Sequence, residues 1–304
     1  MKRRLAILGI SGIAERHAAS LRALPDATLV AAWGRDPARC AAFVQRHAIP
    51  RCAASAQEIL TDPAVDGVLI LTEPARHLEL AHAALECGKP MLIEKPLGLD
   101  PTACRDFAAR ARGSDLPIGV VAPYRFDPRL ETLRRQIAQL DSASPRLVQL
   151  TLNWPRNAAY YQHGSGWRRH DGGVMINQGI HWLDTLNWFF GLPQRIEAHS
   201  LASRAFLACA DTTAALLIYP ANVLVLIAAN TFQHQERQER LVIQHAQGTL
   251  EYTHPLPDGC EPMQRQLTDF LAAIRDHRPP RVTPEHGLHA LEVAWACGRL
   301  LEMD

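Results

Sequence analysis

The sequence predicts an α/β fold. A doubly wound parallel sheet forms the N-terminal part, and an α+β domain with a large, mostly antiparallel sheet follows it. Three observations carry this expectation. Strand-like and helix-like segments alternate through the first 122 residues. The rhythm then changes to strands joined mostly by short links. A glycine-bearing turn follows the first strand directly.

Taken in order, "RLAILG" is a short apolar run ended by Gly9, and "IAERHAASLRAL" follows with helical spacing. "ATLVAAW" is a second strand, and "DPARCAAFVQRHA" a helix opened by an Asp-Pro start signal. "VDGVLILT" is a third strand, and "PARHLELAHAALECG" a helix closed by Gly88. "PMLIEKP", the helix "DPTACRDFAARAR" and the strand "PIGVVAP" complete the series. Near-continuous apolar strands alternating with helices imply a parallel sheet covered on both faces, and right-handed crossovers make it doubly wound. Beyond residue 122, "PRLVQLTLNW", "RIEAHSLAS", "TTAALLIYP", "VLVLIAANTF", "RLVIQHA" and "GTLEYTH" read as strands of one larger sheet. "EPMQRQLTDFLAAIRDHR" and "EHGLHALEVAWACGRLLEMD" read as closing helices. The boundary is placed between 122 and 123, giving domains 1–122 and 123–304.

The 304 residues suffice for two sizeable cores. Lys plus Arg (32) nearly balances Asp plus Glu (31), and no basic tract stands out, which argues against a nucleic-acid partner or an anionic membrane surface. No apolar run reaches the length of a membrane span. The opening "MKRRLAILGISGIAERH" begins like an export signal, but Glu15, Arg16 and His17 soon interrupt it, so it is read as the first strand. Seven scattered Cys with no C-x-x-C pair suggest reduced thiols and a cytoplasmic setting. The 14 His include no H-x-x-x-H or H-E-x-x-H spacing, so no metal is expected.

The first turn, Gly9-Ile10-Ser11-Gly12-Ile13-Ala14, approaches the dinucleotide fingerprint G-x-G-x-x-G/A. Gly9 suits the tight turn and Ala14 the close helix–strand packing, whereas Ser11 puts a side chain where the fingerprint has its middle glycine; Gly12 stands one residue later. An ordinary strand–helix turn is the alternative. The second strand ends Trp33-Gly34-Arg35-Asp36. NAD binders usually place an acid at this strand end. Here that position is Gly34, and Arg35 beside it favours a 2′-phosphate, while Asp36 either serves the ribose or caps the next helix. NAD or NADP is the expected cofactor.

"MINQGIHWLDTLNWFFG", residues 175–191, reads as one helix. Asn177, His181 and Asp184 fall at i, i+4 and i+7 on a single stripe. Ile176, Ile180 and Leu183 flank it on one side and Trp182, Leu186 and Phe189 on the other. An amide, an imidazole and a carboxylate between apolar walls is unusual for a solvent-facing stripe.

"LIEKPLGL" (92–99) carries the Glu94-Lys95-Pro96 motif, and it resembles the glucose–fructose oxidoreductase / inositol dehydrogenase (Gfo/Idh/MocA) family. "YRFDPRL" (124–130), the pattern GG-x-x-x-N-x-x-x-H-x-x-D over 172–184, and "LTDFLAAIRDHRPPRV" are similar to that family too. The resemblance implies a Rossmann domain over 1–122 and a substrate-binding, oligomerising domain with an open-faced sheet over 123–304. It implies a cis Lys95–Pro96 bond and catalytic roles for Lys95 and His181, with the stripe in a cleft facing the nicotinamide. A hydroxyl that loses hydride must also lose its proton. His181 has the intrinsic pKa for the base, and Lys95 suits the developing alkoxide. Asp184 orients the imidazole or braces the helix, and Asn177 takes a substrate hydrogen bond.

A narrower resemblance, to the UDP-N-acetylglucosaminuronate 3-dehydrogenases, lies in "NWPRNAAYYQHGSGWRRHDGGVMINQGIH". Trp154, Arg156, Tyr160, Tyr161, Trp167, Arg168 and the Asn177-Gln178 pair carry it, with Asn177 where many sugar dehydrogenases have Asp. The expected cofactor-binding set is Gly9, Ser11, Gly12, Ile13, Ala14, Gly34, Arg35, Thr72, Glu94 and Lys95, with Ser11 a departure from the pattern of both family groups. The substrate set is Lys95, Tyr124, Arg125, Arg156, Tyr160, Trp167, Arg168, Asn177, Gln178 and His181. An Arg fork suits a carboxylate or diphosphate, and the aromatics suit a uracil or sugar ring. The expected activity is NAD(P)-dependent hydride transfer from a sugar or nucleotide-sugar hydroxyl, including C3 of UDP-N-acetylglucosaminuronate. The alternatives are a plain sugar, inositol or diol dehydrogenase and a non-catalytic sensor or scaffold. "AALLIYPANVLVLIAANTF" is apolar on both alternations, so a homodimer or homotetramer joined through the sheet is expected.

Overall fold

The computed structural model describes residues 2–233, 237–253 and 261–300. His254 and residues 301–304, which end segments read above, and Cys260, one of the seven Cys, lie outside the described residues. The chain divides into two units, Met1–Phe126 with Gly259–Leu288, and Asp127–Asp258 with His289–Asp304.

The first unit is built on five parallel strands, β1 (Arg3–Leu8), β2 (Ala27–Trp33), β3 (Gly67–Ile70), β4 (Met91–Ile93) and β5 (Ile118–Val120), in the order β2-β1-β3-β4-β5. Leu5 to Leu8 are wholly buried, which is why both alternations of "LAIL" are apolar. Helices α1 (Gly12–Arg22), α2 (Pro37–Arg46), α3 (Ala56–Leu60), α4 (His77–Glu86) and α5 (Pro101–Arg112) alternate with the strands. The start signal of α2 works as read, and α5 opens in the same way. Asp36 accepts from the amides of Ala38 and Arg39 ahead of α2, and Asp100 from Thr102 ahead of α5, each with Pro at the first helical position. The chain leaves β1 toward one side of the sheet and returns through β3 on the other. The switch point therefore lies between β1 and β3, where open α/β sheets bind their ligands.

The second unit opens with α6 (Pro128–Ala138), capped by Asp127. Its sheet has six strands: β6 (Arg146–Asn153), β7 (Arg195–Leu201), β8 (Thr212–Tyr219), β9 (Val223–Asn230), β10 (Gln238–His245) and β11 (Gly248–Thr253). The order is β11-β10-β6-β9-β8-β7, antiparallel except for the β6–β9 pair. The short helix α7 (Ala158–Gln162) and the helix α8 (Ile180–Phe190) lie between β6 and β7 in the chain. One sheet face is buried: Val148, Leu150, Leu152, Val223, Val225, Ile227, Leu241 and Ile243 are at most 3% exposed. Tyr219 on this face donates its hydroxyl to Asn187 of α8, and Trp182 of α8 packs edge-on against Tyr252 of β11.

Residues 175–191 are not one regular helix. Met175–Gly179 form a π turn, and α8 begins at Ile180. The i, i+4 relation of Asn177 to His181 thus crosses a widened turn, while His181 and Asp184 keep α-helical spacing. Gly179 contributes to the tight local packing, since a Cβ there would meet Met175 Sδ at 2.9 Å. Gly191, at φ +83°, ends α8.

The closing helices are α9 (Glu261–Asp276) and α10 (Pro284–Cys297). By chain order α9 belongs with the second half. By packing it belongs to the first: Met263, Leu267, Phe270, Leu271 and Ile274 join Leu5, Ile7, Ala14 and Phe43 in one core. Their i, i+4, i+7, i+8 and i+11 spacing is a core-facing stripe whose partners lie far back in the sequence. The units part at Phe126/Asp127, close to the boundary expected between 122 and 123.

Candidate functional site

The nucleotide-binding turn sits at the β1/β3 switch point. Gly9 has φ +109°, its amide donates to the carbonyl of Trp33, and a Cβ on it would lie 2.6 Å from the amide nitrogen of Thr72. Only glycine fits there. Ser11 precedes α1, but its hydroxyl donates to the carbonyl of Leu71 at 3.0 Å and makes no helix cap. The extra side chain is thus turned to the end of β3. With no side-chain cap, the first-turn N–H groups and positive end of α1 suit an anion, and a Cβ on Gly12 would meet nothing within 4 Å. Ala14 is buried against the sheet. The Thr72 hydroxyl oxygen is buried without a hydrogen-bond partner. These features fit a dinucleotide pyrophosphate.

At the end of β2, a Cβ on Gly34 would press on Ile10 at 2.7 Å, so this position offers no carboxylate. Asp36 is occupied as the α2 cap. Arg35 lies 3.4 Å from Glu73, and Arg39 donates to the carbonyl of Ile10.

The Glu94-Lys95-Pro96 turn is held from inside. The Lys95–Pro96 bond is cis. Glu94 is 5% exposed; its Oε1 lies 3.2 Å from His17 Nε2, and its Oε2 accepts the Lys95 amide at 2.9 Å. Burial pushes the Glu94 carboxyl up, but the His17 contact and the nearby Lys95 charge outweigh it and hold it below the ordinary carboxylate value. Both nitrogens of His77 face carbonyls, Pro96 at 2.8 Å and Thr72 at 3.0 Å. Burial drives the His77 imidazole below its ordinary value, against these carbonyls. His77 ties the Thr72 segment to the Lys95 turn, and the sequence reading missed it and His17. Their only signal was a histidine in each of two otherwise apolar helical faces. Tyr124 and Arg125 lie in the 3₁₀ turn Pro123–Phe126 and are 8% and 5% exposed, and the carbonyl of Arg125 accepts from Arg281.

In the second unit, Trp182 fixes the rotation of α8. It is fully buried and donates its indole N–H at 2.5 Å to Glu239, itself fully buried and paired with Arg237. His181, about 100° round the helix from Trp182, is half-buried, and its ring is stacked 6.5 Å from Trp154. Arg237 covers the Trp154 ring at 3.3 Å. Asp184 is 4% exposed. Asn177 and Gln178 both donate to the Tyr160 hydroxyl, at 2.6 and 3.1 Å. Adjacent residues of an α-helix point about 100° apart; the π turn accompanies the convergence of these two amides, and such turns are frequent at functional sites. Arg156 and Arg168 stack on the Tyr160 ring at 4.6 and 4.9 Å, and Arg168 also on Trp167 at 5.1 Å. Tyr160, Trp167, Arg156, Arg168, Asn177 and Gln178 are therefore one cluster, as the sequence grouped them. Tyr161 points elsewhere: its hydroxyl meets Thr231 and Arg204 in a buried network that also holds Asp211.

A dinucleotide-type parallel α/β unit joined to a unit with a six-stranded mixed sheet defines a class of two-part oxidoreductases. Residues 3–121 match the oxidoreductase family described as NAD-binding Rossmann fold, and residues 130–251 match the GFO/IDH/MocA C-terminal domain. The chain belongs to the GFO/IDH/MocA oxidoreductase family, and its first unit is the NAD-binding Rossmann domain. It is 30% identical over 227 residues to trans-1,2-dihydrobenzene-1,2-diol dehydrogenase of Sus scrofa; the match covers 73% of this chain and 66% of that relative, just under two thirds of its length. The fold is shared with the WlbA dehydrogenase of Bordetella pertussis, solved with NADH and UDP-GlcNAcA (TM-score 0.87, 19% identity, 100% of both chains). It is shared equally with myo-inositol 2-dehydrogenase of Lactobacillus plantarum (TM-score 0.87, 19% identity, 98% and 96%). No helix among the described residues is long and apolar enough to cross a membrane.

Proposed function

We propose that the chain is a nicotinamide-dependent dehydrogenase acting on a secondary hydroxyl of a sugar or nucleotide sugar. The observation that carries this reading is the polar cluster at the π turn, which leads directly into His181 in a chain whose other unit is an NAD-binding Rossmann domain. Bound nicotinamide supplies the hydride acceptor. His181 takes the hydroxyl proton as the C–H electron pair leaves, and Lys95 stabilises the oxygen as it becomes a carbonyl. Asn177 and Gln178 position Tyr160 and a substrate hydroxyl, and Asp184 braces the imidazole's helix. Gly9, Gly12, Ile13, Ala14 and Thr72 hold the cofactor, with Ser11 and Glu94 supporting the turns from behind. The test is nicotinamide reduction with a panel of UDP-sugars, free sugars, inositols and diols. Cofactor binding without turnover of any of them would favour a non-catalytic sensor. A second reading, a plain diol or inositol dehydrogenase, is favoured by the 30%-identical diol dehydrogenase.

NADP is accepted as well as NAD in this reading, because Gly34 presents no carboxylate to a 2′-phosphate and Arg35 stands beside it. Arg35→Ala is expected to weaken NADP binding about tenfold and NAD binding little. Equal affinities for NADP before and after the change, measured by fluorescence titration, would reduce Arg35 to a surface charge.

The second unit's sheet is proposed to pair with that of another subunit. Leu224 and Leu226 are each 43% exposed on its outer face. Leu147, Leu216 and Ile218 stand beside them in register, and Arg195, Glu197, Arg240 and Glu251 form a polar rim. Such a patch is self-complementary about a two-fold axis. Leu226→Asp is expected to convert the homo-oligomer into smaller species in light scattering. A wild-type monomer at micromolar concentration would overturn the proposal.

A further inference from the structure

A fully buried carboxylate stands in the second unit's sheet among apolar neighbours. On β10, Leu241 and Ile243 are fully buried, and the same alternation brings Glu239 to their face, fully buried as well and in register with Leu152 of β6. Among the described residues it is the one buried acid in the strands of this sheet. Both of its oxygens are engaged. Oε2 accepts the indole N–H of Trp182 at 2.5 Å, and Oε1 accepts Arg237 Nε at 2.7 Å and Arg237 Nη2 as well. Arg237 precedes β10 and Trp154 follows β6 at the same end, where Gln238 and Asn153 are in register. The Arg237 guanidinium lies over the Trp154 ring, 3.3 Å from its centre.

A buried ion pair is costly to desolvate, and apolar side chains of similar size in its place are often no less stable. Stability therefore gives no reason for a glutamate at this position. Its two attachments do. Trp182 and His181 are consecutive residues of α8. Through Trp182, Glu239 holds the helix at the residue that follows His181. Through Arg237 it holds Trp154, whose ring lies beside the His181 imidazole. Charge-assisted hydrogen bonds are directional, and a fully satisfied buried network selects one arrangement where apolar packing tolerates several. We infer that Glu239 is a positioning residue: with Arg237 it fixes the rotation of α8 and the place of Trp154, and so sets where the His181 imidazole stands. The effect on the reaction rests on the reading of His181 as the base; the anchoring of its imidazole does not.

The experiment separates placement from stability. Arg237→Met combined with Glu239→Leu replaces the pair by apolar side chains of similar size, and this double variant is expected to melt within a few degrees of the wild type. Its single-turnover rate of hydride transfer, with the best substrate of the panel above, should nevertheless fall about tenfold to hundredfold, the scale of a small misplacement of a reacting group. KM for NAD should stay unchanged. Glu239→Gln keeps an acceptor for Trp182 while weakening the hold on Arg237, so its rate should fall between. Placement is also read without substrate, in the carbon-bound imidazole proton resonances of His181 in the NAD-loaded protein, assigned by their loss in His181→Ala. These should shift in both variants, while those of His17 and His77, in the other unit, stay in place. A wild-type rate in the double variant overturns the inference, as do unmoved His181 resonances in both variants. Rate and melting temperature falling together in both would assign Glu239 to folding alone and overturn it too. Should the wild type reduce nicotinamide with no substrate of the panel, the dehydrogenase reading fails, and shifted His181 resonances leave the anchoring role standing.

Discussion

His181→Ala lowers the rate of hydride transfer by about two to four orders of magnitude, the range for loss of a positioned general base. The measurement is single-turnover change in nicotinamide absorbance with the best substrate, across pH. NAD affinity should hardly change, because Gly9, Ser11 and Gly12 belong to a different unit and are untouched. Folding should survive, because Trp182, Leu183 and Leu186 of α8 are each fully buried, whereas the imidazole is half-buried. Transfer at the wild-type rate would make the polar residues of this helix structural and would refute the mechanism.

Lys95→Ala is expected to do comparable damage by a different route. The Lys95 backbone amide bonds Glu94, and His77 meets the next residue's carbonyl. The turn should therefore keep its form when the side chain is cut back, and the loss reports on the ammonium group. Glu94 stays ionised in a neutral-range assay. A carboxyl whose folded value is lowered contributes stability above its ordinary range, and that contribution is lost only as pH falls through the lowered value. The double variant with His181→Ala then tests whether Lys95 and His181 act together. If these two serve one proton relay, the double variant is much less impaired than the product of the single effects. Full multiplicativity would mean that they act independently, and a wild-type rate for Lys95→Ala would remove it from the chemistry.

Much of this was legible in the sequence because it depends on short-range rules. The β1 turn could be read because glycine at position 9 has a steric reason, and the starts of α2 and α5 because Asp-Pro is a capping signal. The grouping of Tyr160 with Asn177 and Gln178 followed from a family pattern and not from periodicity. What could not be read depends on contacts distant in sequence. The π turn hides in a segment whose composition is helical. The Ser11 hydroxyl finds Leu71, sixty residues away. Asp36 could be a ribose ligand or a cap until the amides of Ala38 and Arg39 were seen on it. Arg35 could not be known to face Glu73, nor Arg237 to lie over Trp154. No local pattern announces that α9 packs with β1.

That last packing bears on how the chain is made. The N-terminal unit needs the side chains of α9 to cover its core, yet residues 127–258 are synthesised between them. At ordinary elongation rates this delays completion by on the order of ten seconds. In that interval the apolar surface formed by Leu21, Phe43 and Leu69 lacks its last cover on the ribosome, while the inserted unit can already pair β6 with β9. The dinucleotide-binding half begins first and finishes late, so the nascent chain passes through a stage in which chaperone binding or ligand rescue would act on this half rather than on the sheet domain.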